Sequence, residues 1–445
     1  MIYRKKQFQL SPPQILAFGF ILIIMTGTLL LMLPIASRNE PVSFIDALFT
    51  ATSAACVTGL VVVDTATQFT MFGHIVIAIL IQIGGLGFIT MATLFALILK
   101  KRISLRERLV LQQALNQLSL EGIVRLIRKI IIYSFIIEGA GAFLLAVRWS
   151  FDMPLGQAIF FGIFHAISVF NNACFDLVGG FRSFTPYADD IVINLVSMVL
   201  IVLGGLGFIV LADFADYKKK RRLSLHTKVV LSVSACLILF GALVIFALEY
   251  NNPFTLRPLS PGVKVMASFF QSVTPRSAGA STLDIGHMTQ ASQFFLILLM
   301  FIGASPVSTG GGIKTTTFAI LLGAMFAMIR GKRDVVLFRY RLSANRVYKA
   351  VTLTLMALFL VIVVSMVLAM TEPYPFLMIL FEVTSAFATA GLTMGLTAEL
   401  TPFGKVMIIL TMFIGRLGPL TLAYALGSKL EKELYRHPEG HITIG

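Results

Sequence analysis

Apolar residues occur along this chain in long blocks. Those at 14–37, 73–99, 191–215, 293–304, 351–370 and 403–426 are almost free of charge, and several reach the roughly 20 residues a helix needs to cross a bilayer. Shorter apolar stretches between them end in Gly, Ser, Thr and Ala. The alternation predicts four units, each a span, a segment that dips into the membrane, and a second span. The first unit spans 14–37, turns between Pro34 and Pro41, dips at 43–60 and returns at 73–99. The second uses 127–147, 156–175 and 191–215, the third 227–249, 261–281 and 293–329, and the fourth 347–370, 375–392 and 403–427. The dips are too short to cross as helices, and irregular backbone at that depth is tolerated only where protein buries it or a watery cavity meets it. The expected fold class is an all-α polytopic membrane protein. It would have four covalently linked span, pore loop, span repeats (about eight transmembrane helices) around a pseudo-fourfold pore. The expected repeats are 1–110, 111–222, 223–345 and 346–445, the last including a C-terminal tail.

Two columns of residues support the repeat. TSAACVTGL (52–60), ISVFNNACF (167–175), SVTPRSAGAS (272–281) and TSAFATAGL (384–392), stacked without gaps, align Gly59, Cys174, Gly279 and Gly391, spaced 115, 105 and 112 residues apart. Ten residues earlier stand Phe49, Phe164, Phe269 and Phe381; six earlier stand Ser53, Ser168, Val273 and Ser385. A second column, Gly84, Gly204, Gly303 and Gly415, opens IGGLGF, LGGLGF, IGASPV and IGRLGP, following the first by 25, 30, 24 and 24 residues. Two columns in phase mark a fourfold internal repeat.

The dips carry the chemistry. A half-helix, from Phe49 to Ala55 in the first repeat, ends with partial negative charge at its C-terminus. Four such ends aimed at one axis favour a cation, and the unwound chain beyond them offers carbonyls in place of its water shell. The candidate filter is Val57, Thr58 and Gly59; Asn172, Ala173 and Cys174; Ser277, Ala278 and Gly279; and Thr389, Ala390 and Gly391. No carboxylate lies inside these stretches, so a monovalent cation suits them better than a divalent one.

Composition narrows the class. The chain has 445 residues, 57% hydrophobic and 13% charged, where a soluble domain carries about 25% charged residues. The first apolar run is too long for a cleaved signal and is expected to stay as a span. The net charge of +15 is clustered between repeats: Lys100, Lys101, Arg102, Arg106 and Arg108; Lys218 to Arg222; Arg330, Lys332, Arg333, Arg339, Arg341 and Arg346. Arg4, Lys5 and Lys6 lie at the start, and Lys429, Lys432 and Arg436 near the end. An even number of crossings separates any two clusters, so all can share one face, which the positive-inside rule makes cytoplasmic, with both termini. Glu40, Asp46, Asp152, Glu249 and Glu372 fall in the opposite loops. This distribution argues against nucleic-acid binding. Cys56, Cys174 and Cys236 form no disulfide framework or zinc spacing. No catalytic constellation appears, and no metal site beyond the transported ion.

These residues resemble the Trk–Ktr–HKT superfamily of potassium transporters, most of all its bacterial KtrB branch. The marks are CVTGL, NNACF, TPRSAGAS and FATAGL, the stretch GASPVSTGGGIKTTT (303–317), and Arg416 in IGRLGPLT. The resemblance covers nearly the whole chain. It implies potassium uptake through a pore of four dissimilar repeats in a bacterial cell membrane, stimulated by sodium. It further implies a homodimer resting on a cytosolic KtrA-like ring, with nucleotide on that partner only. One departure stands out. The family pattern has glycine at each filter column, and this chain has Cys174 in the second. Cysteine resists φ > 0 and places a sulfur beside the ion path. Natural drift and an engineered change both account for it, and a misdirected ring member would admit sodium.

The third repeat's second span is interrupted by Pro306, Ser308, Thr309, Gly310, Gly311, Gly312, Lys314 and Thr315 to Thr317. Each glycine destabilises a helix by about 1 kcal/mol relative to alanine, so this polar break is a candidate gate under the filter; the plainer alternative is a packing kink. GGGIKT does not fit a phosphate loop, because Lys314 follows Ile313 and not glycine. Arg416 lies near the middle of the last span. It is expected to donate to carbonyls of 303–317 and to raise a positive barrier. Asp64, Asp176, Asp284 and Glu399 follow the filter stretches and read mainly as solvated loop charges, secondarily as an outer-mouth field. His437, Glu439 and His441 read as solvated tail, and Glu431 and Glu433 as possible contacts for a partner subunit. The alternative within transport is an ion-coupled carrier of an organic solute, which uses broken helices but usually shows two halves.

Overall fold

The computed structural model describes residues 11–87, 90, 91, 93, 123–426 and 438. The inner end of the run 73–99, the basic groups at 4–6, 100–108 and 429–436, and the tail residues Glu431, Glu433, His437, Glu439 and His441 lie outside the described residues. The first repeat comprises α1 (Pro12–Leu31), α2 (Phe44–Ala55) and α3 (Met71–Leu86). The second comprises α4 (Ile123–Trp149), α5 (Leu155–Phe170), α6 (Ile191–Leu206) and α7 (Phe208–Lys220). The third has α8 (Leu225–Glu249), α9 (Pro261–Val273), α10 (Gln290–Phe301) and α11 (Thr315–Ile329), and leads through a hairpin of β1 (Val336–Leu337) and β2 (Tyr340–Arg341). The fourth has α12 (Ala344–Thr371), α13 (Phe376–Ala388), α14 (Pro402–Leu417) and α15 (Pro419–Leu426). The protein is a polytopic membrane protein built from pore-loop repeats.

The first helix of each repeat is long and apolar enough to cross a membrane unbroken. Large apolar side chains stand exposed on these helices, among them Phe18, Leu22, Phe143, Leu243 and Phe359; a helix apolar all round is at home in lipid. The second helices correct the expectation of continuous spans at 191–215 and 403–427. α6 and α7 meet at 94° across Gly207, and α14 gives way to α15 at Gly418. A 16-residue helix such as α6 rises about 24 Å, short of a core about 30 Å thick. Gly87, Gly207 and Gly418 have φ of 82°, 93° and 82°, which glycine reaches freely. In the third repeat the break widens to 302–314, between α10 and α11.

The repeats close into a ring. α3 packs on α5, α6 on α9, α10 on α13, and α14 on α2. Each second helix thus meets the short helix of the next repeat, and the fourth returns to the first. Lys405 on α14 and Asp46 on α2 seal that last seam with a 2.7 Å ion pair, both side chains largely buried. The core runs through the seam: Ile24, Phe49 and Cys56 share one apolar cluster with Val361, Ile379 and Met412. In the first repeat the loops are stitched by backbone, with Ser37 bridged to Phe69, while Thr70, Asp190, Thr289 and Thr401 cap the N-termini of α3, α6, α10 and α14.

Close approach explains the second glycine column. A Cβ at Gly84, Gly204 or Gly415 would strike the carbonyl of Ala55, Phe170 or Phe387, at the feet of α2, α5 and α13. In the third repeat Gly303 meets the carbonyl of Gly311 in its own loop. Gly204→Ala and Gly415→Ala are therefore expected to destabilise the protein by about 1–3 kcal/mol, since backbone cannot step aside. Thermal unfolding in detergent reads this as a lowered midpoint, and an unchanged midpoint would contradict the packing described.

Candidate functional site

The four short helices stop inside the protein, and their chains leave in one conformation. Two residues before the first column φ is positive in every copy: 57° at Val57, 61° at Asn172, 76° at Ser277 and 46° at Thr389. It is positive again at the column: 91° at Gly59, 44° at Cys174, 88° at Gly279 and 79° at Gly391. The intervening Thr58, Ala173, Ala278 and Ala390 do not share it. Cys174 thus adopts the left-handed region that its side chain resists, at a cost of about 1–2 kcal/mol. Its thiol turns into the seam between repeats and meets the Ala280 backbone.

The stretches converge. A Cβ on Gly391 would stand 3.2 Å from the Cα of both Gly59 and Gly279 and would strike the Thr58 carbonyl. A Cβ on Gly59 would strike the Ala173 carbonyl, and one on Gly279 would stand 2.7 Å from the Ala390 carbonyl. With the Cys174 contact to Ala280, each copy touches the next in the same circular order as the helices. Thr58, Gly59, Ala173, Cys174, Gly279, Ala390 and Gly391 meet here, with Ser277 beside Thr389, and Gly59, Gly279 and Gly391 have no room for a Cβ.

The short helices hold these stretches by their own last turn. Thr58, Ala173 and Ala390 N–H donate to the carbonyls of Ser53, Ser168 and Ser385, each at 2.8 Å. The Ser53 hydroxyl accepts from Gly59 N–H at 3.1 Å, and that of Ser168 donates to Phe175 O at 2.8 Å. The third copy departs from gap-free stacking. Ala278 N–H donates to Thr274 O, and the Thr274 hydroxyl, not Val273, bonds the Ala280 carbonyl. Phe270 is fully buried where Phe269 is half-buried. One residue is missing between this helix and its filter stretch, which shifts the helix register by one against the other copies.

That shift exposes a column missed in the sequence. Thr50, His165, Gln271 and Glu382 each follow the buried phenylalanine of their helix and are themselves buried. Three of them fasten the chain just beyond the column. His165 Nε2 accepts from Leu177 N–H at 3.2 Å, Gln271 donates to Ser281 Oγ at 2.9 Å, and Glu382 accepts from the Thr393 and Thr397 hydroxyls. Thr50 bonds its own helix, at Asp46 O. A polar residue one place after each phenylalanine was visible in the sequence once the third copy is offset. Arg276, also missed, is buried and donates to the Ser234 hydroxyl at 2.9 Å.

The broken span lies across the floor of the ring. Ser305 and Thr309 N–H donate to Gly205 and Gly204 O, and Phe208 N–H to Val307 O. Gly311 N–H donates to the Ser277 hydroxyl at 2.8 Å, within the candidate filter. Arg416 donates to Thr309 O of the loop and to Gly84 O of the first repeat. Lys314 Nζ donates to Gly310 O at 2.6 Å, and Gly312 has φ of 70°. Two cationic side chains, Lys314 and Arg416, and two of the three glycines, Gly310 and Gly312, therefore border one cavity of about 390 Å³, lined also by Gly85, Pro306 and Thr317 among others. The outer acids are fasteners more than free charges. Asp64 accepts from Ala66 and Gly180 N–H, Asp176 from Val178 and Gly179 N–H, Asp284 pairs with His287, and Glu399 accepts from the Tyr374 hydroxyl. The basic residues Arg330, Lys332, Arg333, Arg339, Arg341 and Arg346 are exposed around the β1–β2 hairpin.

Known proteins match this arrangement over its full length. The family model of the TrkH cation transport proteins matches residues 10–437. The Ktr system potassium uptake protein B of Bacillus subtilis is 47% identical over 99% of this chain and 98% of its own. The potassium/sodium uptake protein NtpJ of Enterococcus hirae is 42% identical over 98% of each. Among solved structures, the potassium transporter TrkH of Vibrio parahaemolyticus superposes with a TM-score of 0.74 at 19% identity, covering 96% of this chain and 87% of that one. The chain belongs to the TrkH family of cation transport proteins.

Proposed function

We propose that this chain is the membrane subunit of a potassium uptake system. A dehydrated K⁺ passes between the four stretches ending at Gly59, Cys174, Gly279 and Gly391. The observation that carries the reading is their shared conformation, positive φ at two alternate positions in all four copies, closed on one axis. Short-helix C-termini add partial negative charge there. The tightness of the column supports a bare monovalent ion over an organic solute. The names of the Bacillus and Enterococcus relatives, potassium uptake and potassium/sodium uptake, support K⁺ as cargo with Na⁺ as cargo or activator. The repeats divide near residues 110, 222 and 345. The loop 303–317 with Lys314 and Arg416 forms the inner gate. Both termini and the basic hairpin face the cytoplasm of a bacterial cell, where a second copy and a KtrA-like nucleotide-binding ring assemble on the chain.

Cation uptake into proteoliposomes holding the purified chain tests the filter. Gly391→Ala, which forces a Cβ against the first and third copies, is expected to cut K⁺ flux by at least about tenfold, a loss of roughly 1.4 kcal/mol or more in the conducting arrangement. Undiminished flux with undiminished K⁺ preference would remove the filter from these residues. Arg416→Ala tests the gate. Losing charge-assisted bonds worth about 1.5–3 kcal/mol each frees the loop, so steady K⁺ flux is expected to rise several-fold. Unchanged flux would leave Arg416 a packing residue.

A further inference from the structure

The second copy of the filter lacks the column glycine, and it is heavily braced. Cys174 at φ 44° and Asn172 at φ 61° both sit in the left-handed region. Non-glycine residues persist there only where their surroundings hold them. The residue three places before the column lies at or just beyond the end of the short helix. It is Cys56, Asn171, Arg276 and Ala388 in the four copies, and among them Asn171 is the one tied to a carboxylate. Asn171 Nδ2 donates to Glu138 Oε1 at 3.0 Å and also reaches Gln82 Oε1 at 2.9 Å and Ile167 O at 2.9 Å. Gln82 Nε2 donates to both Glu138 oxygens, at 3.0 and 3.1 Å.

Glu138 lies on α4 eleven residues before its end at Trp149, about 16 Å along the helix, and so well inside the membrane. An ionisable residue there is costly and marks function by default. Its exposure is 5%, with Gln82 at 9% and Asn171 at 0%, and the triad joins α3, α4 and the foot of α5 across the seam between the first two repeats. A carboxylate accepts on every lone pair, which suits amide donors converging from two sides; an amide in its place would set N–H against N–H.

We propose that Glu138, acting through Asn171, is the positioning residue that holds the second filter copy in its left-handed course where glycine is missing. The proposal rests on reading the four stretches as a selectivity filter. It requires that the need for Glu138 disappear when the column residue is glycine, which takes positive φ without support.

The test compares the K⁺-over-Na⁺ flux ratio in proteoliposomes for this chain, Glu138→Gln, Cys174→Gly and the double substitution. Glu138→Gln is expected to lower the ratio about tenfold in the Cys174 protein and by less than about twofold beside Cys174→Gly. Gln82→Met, which withdraws two of the three donor contacts without touching a charge, is expected to follow the same pattern. Equal loss in both backgrounds, no loss in either, or failure of both Glu138→Gln proteins to assemble in detergent would overturn the proposal. The filter reading fails separately, by a lack of K⁺ preference in this chain and in Cys174→Gly alike.

Discussion

Backbone that leaves a helix at membrane depth finds no water to satisfy it, and the rest of this molecule is arranged around that constraint. Four short helices stop inside the protein. Their last-turn carbonyls and nearby hydroxyls take the first N–H groups beyond, through Ser53, Ser168, Thr274 and Ser385. The second helices come close enough to shield the feet only because Gly84, Gly204 and Gly415 carry no side chain. With the N–H groups directed back into the helices, carbonyls such as those of Thr58, Ala173 and Ala390 are left at the centre, against the column of the adjoining copy. Those oxygens border the path proposed above for the cation.

The third repeat breaks the symmetry, and it does so in the service of that centre. Its second span gives up helix over 302–314, and the freed backbone is met by Gly204 and Gly205 of the second repeat, by Arg416 of the fourth and by Ser277 of its own. Ser277 is the junction. Its hydroxyl accepts from Gly311 N–H in the loop and lies 2.9 Å from the carbonyls of Ala388 and Thr389 in the fourth copy. A hydroxyl has one proton to give, so it serves one of those carbonyls at a time. Ser277 thus links the loop to the stretches ending at Gly279 and Gly391, and Gly311 also packs against Thr389.

Much of this was readable in the sequence. The columns named the residues that converge, and the glycine and serine run at 303–317 named the loop, because repeats leave a periodic trace and helix breakers a compositional one. Three things were hidden, each for a physical reason. The one-residue shift in the third short helix is invisible when copies are stacked without gaps, since Phe269 and Phe270 satisfy the pattern equally well. The bend at Gly207 and the helix break at Gly418 sit in apolar runs, where hydropathy cannot tell one spanning helix from two shorter ones. The buried bonds of Glu138, Gln82 and Asn171 join residues up to 89 positions apart, and only packing brings them together.

The central claim is that four unlike stretches of one chain share one ion on their common axis. The most direct measurement is anomalous diffraction from crystals of the protein grown with Rb⁺ or Tl⁺ in place of K⁺. A peak is expected on the axis bordered by the carbonyls of the stretches ending at Gly59, Cys174, Gly279 and Gly391. Density confined to the outer loops or to the cavity beneath the loop, with none between the four stretches, would contradict it.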